Sequence, residues 1–301
     1  MIPLFDCHCD TISRVMTEGG SLRKNNFHTD LERLHKFTPC AQVFAVCAET
    51  LDRPVEKADA MLRRLSQEIE KNSDIVMLCL NFHDIKKGAE SGKVAVFISI
   101  EGCEQISSLE SAYQDGVRVL HPTWNFDNEL CGAAMGSGRG LTENGRAFVK
   151  KAQHMGFALD MSHISERGFW DTLEACEKPV IAGHSNAKAL CNVPRNLTDE
   201  QFNALVDVGG GAGINLYPEF LGLGKDINAV IAHIEHFLSL GGERSVFLGC
   251  DFDGIDSTPT GLDGVQKLDK LYNELLNRNY PEALVRALFW DNLYDIMEKM
   301  L

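Results

Sequence analysis

Eight short apolar runs, each the length of a β-strand and each leading into a polar or acidic residue, recur along this chain with longer stretches of helical spacing between them. They occupy residues 3–7, 41–48, 94–100, 117–120, 157–161, 180–182, 212–216 and 246–250. Strands that are apolar without alternation are buried on both faces, and helices between consecutive strands impose parallel connections, so the pattern predicts a parallel sheet covered by helices. The chain has 301 residues, enough for a closed (β/α)8 barrel of about 250 residues with small insertions. An open doubly wound sheet would instead call for a Gly-rich phosphate turn after the first strand. Here the first strand runs into Asp6-Cys7-His8-Cys9-Asp10.

The intervening stretches carry helix signals. Residues 55–71 place Ala58, Leu62, Leu65 and Ile69 on one face, behind Pro54, whose fixed φ suits a first turn. Residues 197–208 open with Thr198 and Gln201 at capping-box spacing, and residues 227–240 stop at Gly241-Gly242. Residues 75–92 read as a short extra strand and helix. Residues 281–301, with Leu284, Leu288, Leu293, Ile296 and Met300 at roughly helical spacing, are expected to pack as one closing helix. No linker, repeat or low-complexity tract divides the chain. The expectation is a single α/β domain over 1–301, a (β/α)8 TIM barrel with small insertions and a C-terminal packing helix.

Charge removes several function classes. Lys plus Arg is 29 and Asp plus Glu is 43, a formal charge of −14, which repels nucleic acid and anionic lipid. No stretch approaches the roughly 18 apolar residues of a membrane span. The N-terminus reaches charged residues before a signal-peptide apolar region can form. The ten cysteines include no C-x-x-C pair and sit mostly in apolar runs, where thiols pack as small hydrophobes. We expect free thiols and a reducing, cytoplasmic compartment.

In a barrel the active site forms at the C-terminal ends of the strands. Those ends carry His8 and Asp10, Glu101, His121, His163, His184, Tyr217 and Asp251. Nearly all are metal-ligand or proton-transfer types. Strand alternation would put Asp6, His8 and Asp10 on one face of the first strand and Cys7 and Cys9 on the other. His8 and Asp10 can then hold one cation from two sides. Glu101 ends a wholly apolar run and so needs a compensating charge. Its two oxygens could bridge two cations about 3.5–4 Å apart. His163 and His184 end consecutive strands and could supply half a zinc site, with Asp160, Ser162 and Ser185 available to orient the rings. His28, His35, His83, His154, His233 and His236 lack an acidic or histidine partner at ligand spacing and read as surface or packing residues.

The ordered set of motifs resembles the membrane dipeptidase (renal dipeptidase) family of metallopeptidases, among the amidohydrolase-like barrels, over nearly the whole chain. It comprises D-x-H-x-D at Asp6 to Asp10, E-G at Glu101, the His at His121 and D-x-S-H at Asp160 to His163. G-H-S at Gly183 to Ser185, N-x-P-R-N at Asn192 to Asn196, N-x-Y at Asn215 to Tyr217 and G-x-D-F-D-G at Gly249 to Gly254 complete it. The resemblance implies a zinc-dependent dipeptidase with two zinc ions per chain and a hydroxide between them. It implies that His8, Asp10 and Glu101 hold one metal and that Glu101, His163 and His184 hold the other. By the same resemblance His121 contacts the substrate carbonyl and Asp251 carries the proton to the leaving amine. Asp253, two residues on, remains open for that role. Arg195 would bind the substrate's free carboxylate and Tyr217 would line the same region. Cys7 and Cys9 stand where the family usually has Gly and Asn, and Thr11-Ile12 where it has Leu-Pro. Without the secretion signal and lipid-anchor tail of mammalian members, the chain is similar to the shorter bacterial ones, and no membrane attachment is expected. The partner is a small dipeptide, with a homodimer left open. Two other readings stand beside this one: a metal-dependent amidohydrolase acting on an N-acyl amino acid, lactam or lactone, and a catalytically silent barrel that only binds.

Overall fold

The computed structural model describes residues 1–222 and 224–301. Nine parallel strands form one sheet: β1 (Leu4–Cys9), β2 (Cys40–Val46), β3 (Val76–Leu78), β4 (Val94–Glu101), β5 (Val117–His121), β6 (Ala158–Leu159), β7 (Ile181–Ala182), β8 (Gly211–Ile214) and β9 (Val246–Leu248). Eight run in the order β6-β5-β4-β2-β1-β9-β8-β7. A parallel bridge between Asp160 and Ile181 closes the β6–β7 seam. Each of the eight apolar runs therefore becomes a barrel strand, and helices connect them as in a (β/α)8 barrel. The ninth strand, β3, is the insertion expected over 75–92. It pairs with the first half of β4 (Val76 with Val94, Leu78 with Val96), leaving the second half of that edge to β5.

Helix boundaries follow the local chemistry. Thr198 caps Asp199–Asp207 through a complete capping box with Gln201. Pro54 opens Pro54–Lys71, which buries Ala58, Leu62, Leu65 and Ile69. Asp226 caps Ile227–Ser239 by accepting from the amides of Asn228 and Ala229.

The strands separate two apolar regions. Outward residues such as Leu4, Phe44, Val96 and Ile98 pack under the helices. Inward residues Phe5, Val43, Phe97, Val119, Ile181 and Phe247 fill the barrel floor. Burying each large side chain stabilises the fold by roughly 1.5–3 kcal/mol. The floor is plugged from below by Trp290, Leu293, Ile296, Met297 and Met300, with the Trp290 ring 5.7 Å from Phe5. The last segment is not one regular helix as its spacing suggested: a π-helical stretch, Ala287–Asp291, lies between Glu282–Arg286 and Asn292–Met300. The wider turn buries three consecutive side chains, Leu288, Phe289 and Trp290. Phe289 meets Tyr272 on Leu268–Asn277 while Trp290 faces the floor. Among the described residues no helix is long and apolar enough to cross a membrane, and all ten cysteines are unpaired thiols.

Candidate metal centre

The inward face of each strand changes character as it rises toward the mouth of the barrel. On β4, Ala95 and Phe97 belong to the floor, and Glu101 lies further up the same face by strict alternation. Glu101 pairs in register with His121 of β5. The first strand departs from its expected alternation. Its pairing with β2 slips by one residue between Asp6 and Cys9. Cys7 stays in the inner cluster with Phe5, whereas Cys9 joins the outer one. The two cysteines therefore do not share a face. Nor does Asp6 join His8 and Asp10: it accepts hydrogen bonds from Gln42 Nε2 and the Cys250 amide.

His184 follows β7 yet its ring lies 4.0 Å from that of His8 on β1, tilted by 39°, with β8 and β9 between them in the sheet. The chain at Gly183 reaches that far inward because Gly213 and Gly249 carry no side chain there. A Cβ on either would run into the Gly183 carbonyl. His163 is oriented by Asn125, whose Oδ1 lies 3.0 Å from its Nδ1. This partner was not legible in the sequence. Asp160, Ser162 and Ser185, expected to orient the rings, act on the backbone and on Arg195 instead. Asp160 Oδ1 accepts from the Ser162 and Gly183 amides across the β6–β7 seam. Ser162 Oγ accepts from the His184 amide, and Ser185 Oγ from Arg195.

At the centre, one oxygen, Glu101 Oε1, lies 2.8 Å from His163 Nε2, 3.3 Å from His184 Nε2 and 3.5 Å from His8 Nε2. His163 Nε2 and His184 Nε2 are 3.0 Å apart, and His8 Nε2 is 3.1 Å from Asp10 Oδ2. All five residues are buried. Ring nitrogens converging on one another and on a carboxylate oxygen with too few protons between them form a cage for positive charge. Its nitrogen and oxygen donors are those divalent transition metals such as zinc accept. Asp10 Oδ1 is buried without a hydrogen-bond partner, as a ligand atom would be. Two overlapping donor groups arise, His8 with Glu101, His121 and His184, and His8 with Asp10 and Asp251. Burial pulls His163 down to about 4, with Arg195 adding to the effect, and it also pulls His184 well down. Burial, opposed by His8 and reinforced by Glu101, raises Asp10 to about 7 and Asp251 to about 6.

His121 is buried with neither ring nitrogen hydrogen-bonded, its Nε2 3.7 Å from Asp160 Oδ2, and burial keeps its pKa below the usual range. Asp251 stands at the rim, 3.9 Å from His8 Nε2, held by a 2.8 Å hydrogen bond from Asn215 Nδ2. Asp253 does not face the same way. Both aspartates have left-handed backbones (φ 60° and 70°), so strand alternation has ended. Asp253 is committed to Thr11 Oγ1 and to the amides of His28 and Thr29. Arg195 is 5% exposed, lines the cavity above the cluster and, among the described residues, makes two long hydrogen bonds, 3.4 Å each, to Ser185 Oγ and the His184 carbonyl. Tyr217 lines the same cavity, which encloses about 370 Å³ and is also walled by Trp124 and Met135. The six remaining histidines stay outside this cluster. Three have acidic neighbours that the sequence did not suggest, His28 with Asp253, His154 with Glu177 and His236 with Asp199.

The model of the membrane dipeptidase family, peptidase family M19, matches residues 1–300. A Klebsiella pneumoniae relative, an uncharacterised protein in the pqqA 5′ region, is 33% identical over 264 residues, spanning 82% of this chain and 97% of its own. Among solved structures, a metallopeptidase from Rhodobacter sphaeroides, liganded with a phosphinate mimic of the dipeptide L-Ala-D-Ala, superposes with a TM-score of 0.91 at 25% identity. The match covers 100% of this chain and 99% of that one. Dipeptidase AC, a metallopeptidase of family M19, superposes with a TM-score of 0.88 at 27% identity over 99% and 98% of the two chains. With a family match along its whole length and a barrel mouth of buried histidines and carboxylates, the chain belongs to the membrane dipeptidase family of metallopeptidases.

Proposed function

We propose that this protein is a zinc-dependent dipeptidase acting as a single catalytic unit over 1–301. The observation that carries the reading is the convergence of three imidazole nitrogens on Glu101 Oε1 beneath a cavity whose wall holds Arg195. His8, Asp10 and Glu101 would hold one cation, and Glu101, His163 and His184 the other. Bound there, the pair would polarise the scissile carbonyl and lower the pKa of a water between them to give a nucleophile at neutral pH.

The chain's own residues supply the rest. Arg195, buried and with no carboxylate in ion-pair contact among the described residues, fixes the C-terminal carboxylate of the dipeptide through its planar fork. That contact sets the substrate's length, and a cavity of about 370 Å³ suits a short one. His121, with no hydrogen bond on either ring nitrogen, donates to the carbonyl oxygen as negative charge builds there. Asp251 takes the proton of the attacking water and returns it to the leaving amine, its carboxylate aimed by Asn215. Tyr217 and Trp124 shape the walls.

The test is a substrate panel of free dipeptides, C-terminally amidated dipeptides, N-acyl amino acids, lactams and lactones, run on zinc-reconstituted enzyme with elemental analysis. Two metal equivalents and preferential cleavage of free dipeptides are expected. Equal cleavage of amidated and free dipeptides, or exclusive turnover of lactams or lactones, would move the assignment to another amidohydrolase activity.

A further inference from the structure

Asp6, the first acidic residue of Asp-x-His-x-Asp, touches neither the donor cluster nor the cavity wall, yet it is completely buried. Among the described residues no cation pairs with it. Its two hydrogen bonds come from Gln42 Nε2 at 3.1 Å and from the Cys250 amide at 2.8 Å. A carboxylate enclosed without a cation is costly unless its hydrogen bonds do something an apolar residue cannot. The second of those bonds is informative. Cys250 immediately precedes Asp251, whose backbone lies at φ 60°, a region that non-glycine residues avoid and keep only when neighbouring structure holds them there.

The Leu216 amide, in the segment after β8, donates to the Cys250 carbonyl at 3.3 Å, and three further holds on this turn come from β1 and the residue after it. The Cys250 amide donates to Asp6 Oδ1, the Asp251 amide to the His8 carbonyl at 3.1 Å, and the Asp10 amide to the Phe252 carbonyl at 2.8 Å. The segment Asp6–Asp10, which presents two candidate metal ligands, thus also fastens the loop that presents Asp251. Among the described residues, Asp6 is its only side-chain hydrogen bond to the N-terminal side of that turn. We propose that Asp6 is a positioning residue: by accepting from the Cys250 amide it holds the left-handed turn so that the Asp251 carboxylate enters the site beside His8. This rests on the reading of Asp251 as the proton carrier.

The experiment uses the full-length, zinc-reconstituted enzyme and the best free dipeptide of the panel. Asp6→Ala is expected to lower kcat by about 10-fold or more, because small displacements of a reacting group have effects of this size. KM should stay within about twofold, and metal content should be unchanged. Asp6→Asn keeps an acceptor for the Cys250 amide and should recover most of kcat. In an Asp251→Asn background Asp6→Ala should cost nothing further, since its effect passes through the missing carboxylate. Independently of turnover, amide exchange at Cys250 should quicken by at least about 10-fold in Asp6→Ala relative to Phe247 in β9. Asp6→Leu, similar in bulk but without an acceptor, takes the same tests should the alanine variant not fold. Full kcat in Asp6→Ala, an equal loss in both backgrounds, or loss of metal alongside kcat would each overturn the proposal. Asp251→Asn with full kcat would overturn the proton-carrier reading itself and the proposal with it, so the two failures are told apart by that one variant.

Discussion

Phe97 and Glu101 lie on the same strand and the same face of it, about 13 Å apart along the chain, in opposite physical worlds. Phe97 meets Phe5 in an apolar floor closed from below by Trp290. Glu101 meets three imidazole nitrogens, with unpartnered donors and acceptors around it. The floor stabilises the fold whatever is bound. The mouth gathers buried polar groups, several of which, Asp10 Oδ1 and both nitrogens of His121 among them, make no hydrogen bond among the described residues. Variants at the two levels should therefore separate stability from turnover.

The sharpest separation is expected at the centre. Glu101→Gln removes the shared charge and should lower kcat/KM by at least about 10³-fold, as for residues that work as a unit. Bound zinc, measured by elemental analysis, should fall below two equivalents. A variant retaining two equivalents and full activity would break the binuclear assignment. At the floor, Phe97→Ala should reduce unfolding free energy by about 3–5 kcal/mol, read from chemical denaturation. The kcat of the folded enzyme should stay within about threefold of wild type if the two levels are independent. A parallel collapse of kcat would show that the floor also sets the geometry above it.

Smaller effects sharpen the division within the mouth. Asp251→Asn should keep both metals and lower kcat by about 10²-fold, the usual range for a positioned acid–base group. Metal loss would make Asp251 a ligand. Arg195→Met should leave kcat nearly intact and raise KM for a free dipeptide by about 10-fold, the equivalent of one charge-assisted hydrogen bond. The variant should discriminate poorly between the free dipeptide and its amidated analogue. Unchanged KM would remove the carboxylate clamp.

Much of the barrel was legible because strands buried on both faces must be apolar along their whole length, and each such run here did become a strand. The residues gathered at the mouth were legible for a related reason. A histidine or glutamate closing an apolar run, as at Glu101 or His184, is too costly to be there idly. What the sequence hid depends on backbone detail. The slip in β1 that parts Cys7 from Cys9 leaves no mark on composition. Asp251 and Asp253 look equivalent until their left-handed backbones send one to His8 and the other to Thr11. Asn125 sits in a loop whose path to His163 is set by tertiary packing alone. The π-helical turn at Ala287–Asp291 hid within a spacing that reads as plain helix.

Gly213 and Gly249 donate nothing to chemistry, yet the inward path of the chain at Gly183 exists only because they leave room for it. For anyone reshaping this enzyme, that makes β8 and β9 a forbidden wall. One methyl group on Gly213 or Gly249 would collide with the Gly183 carbonyl, so the chain leading into His184 would have to shift, although no donor, acceptor or charge had been touched. Libraries meant to alter selectivity belong on the opposite rim, around Trp124 and Met135, where the cavity is bounded by side chains and not by the absence of them.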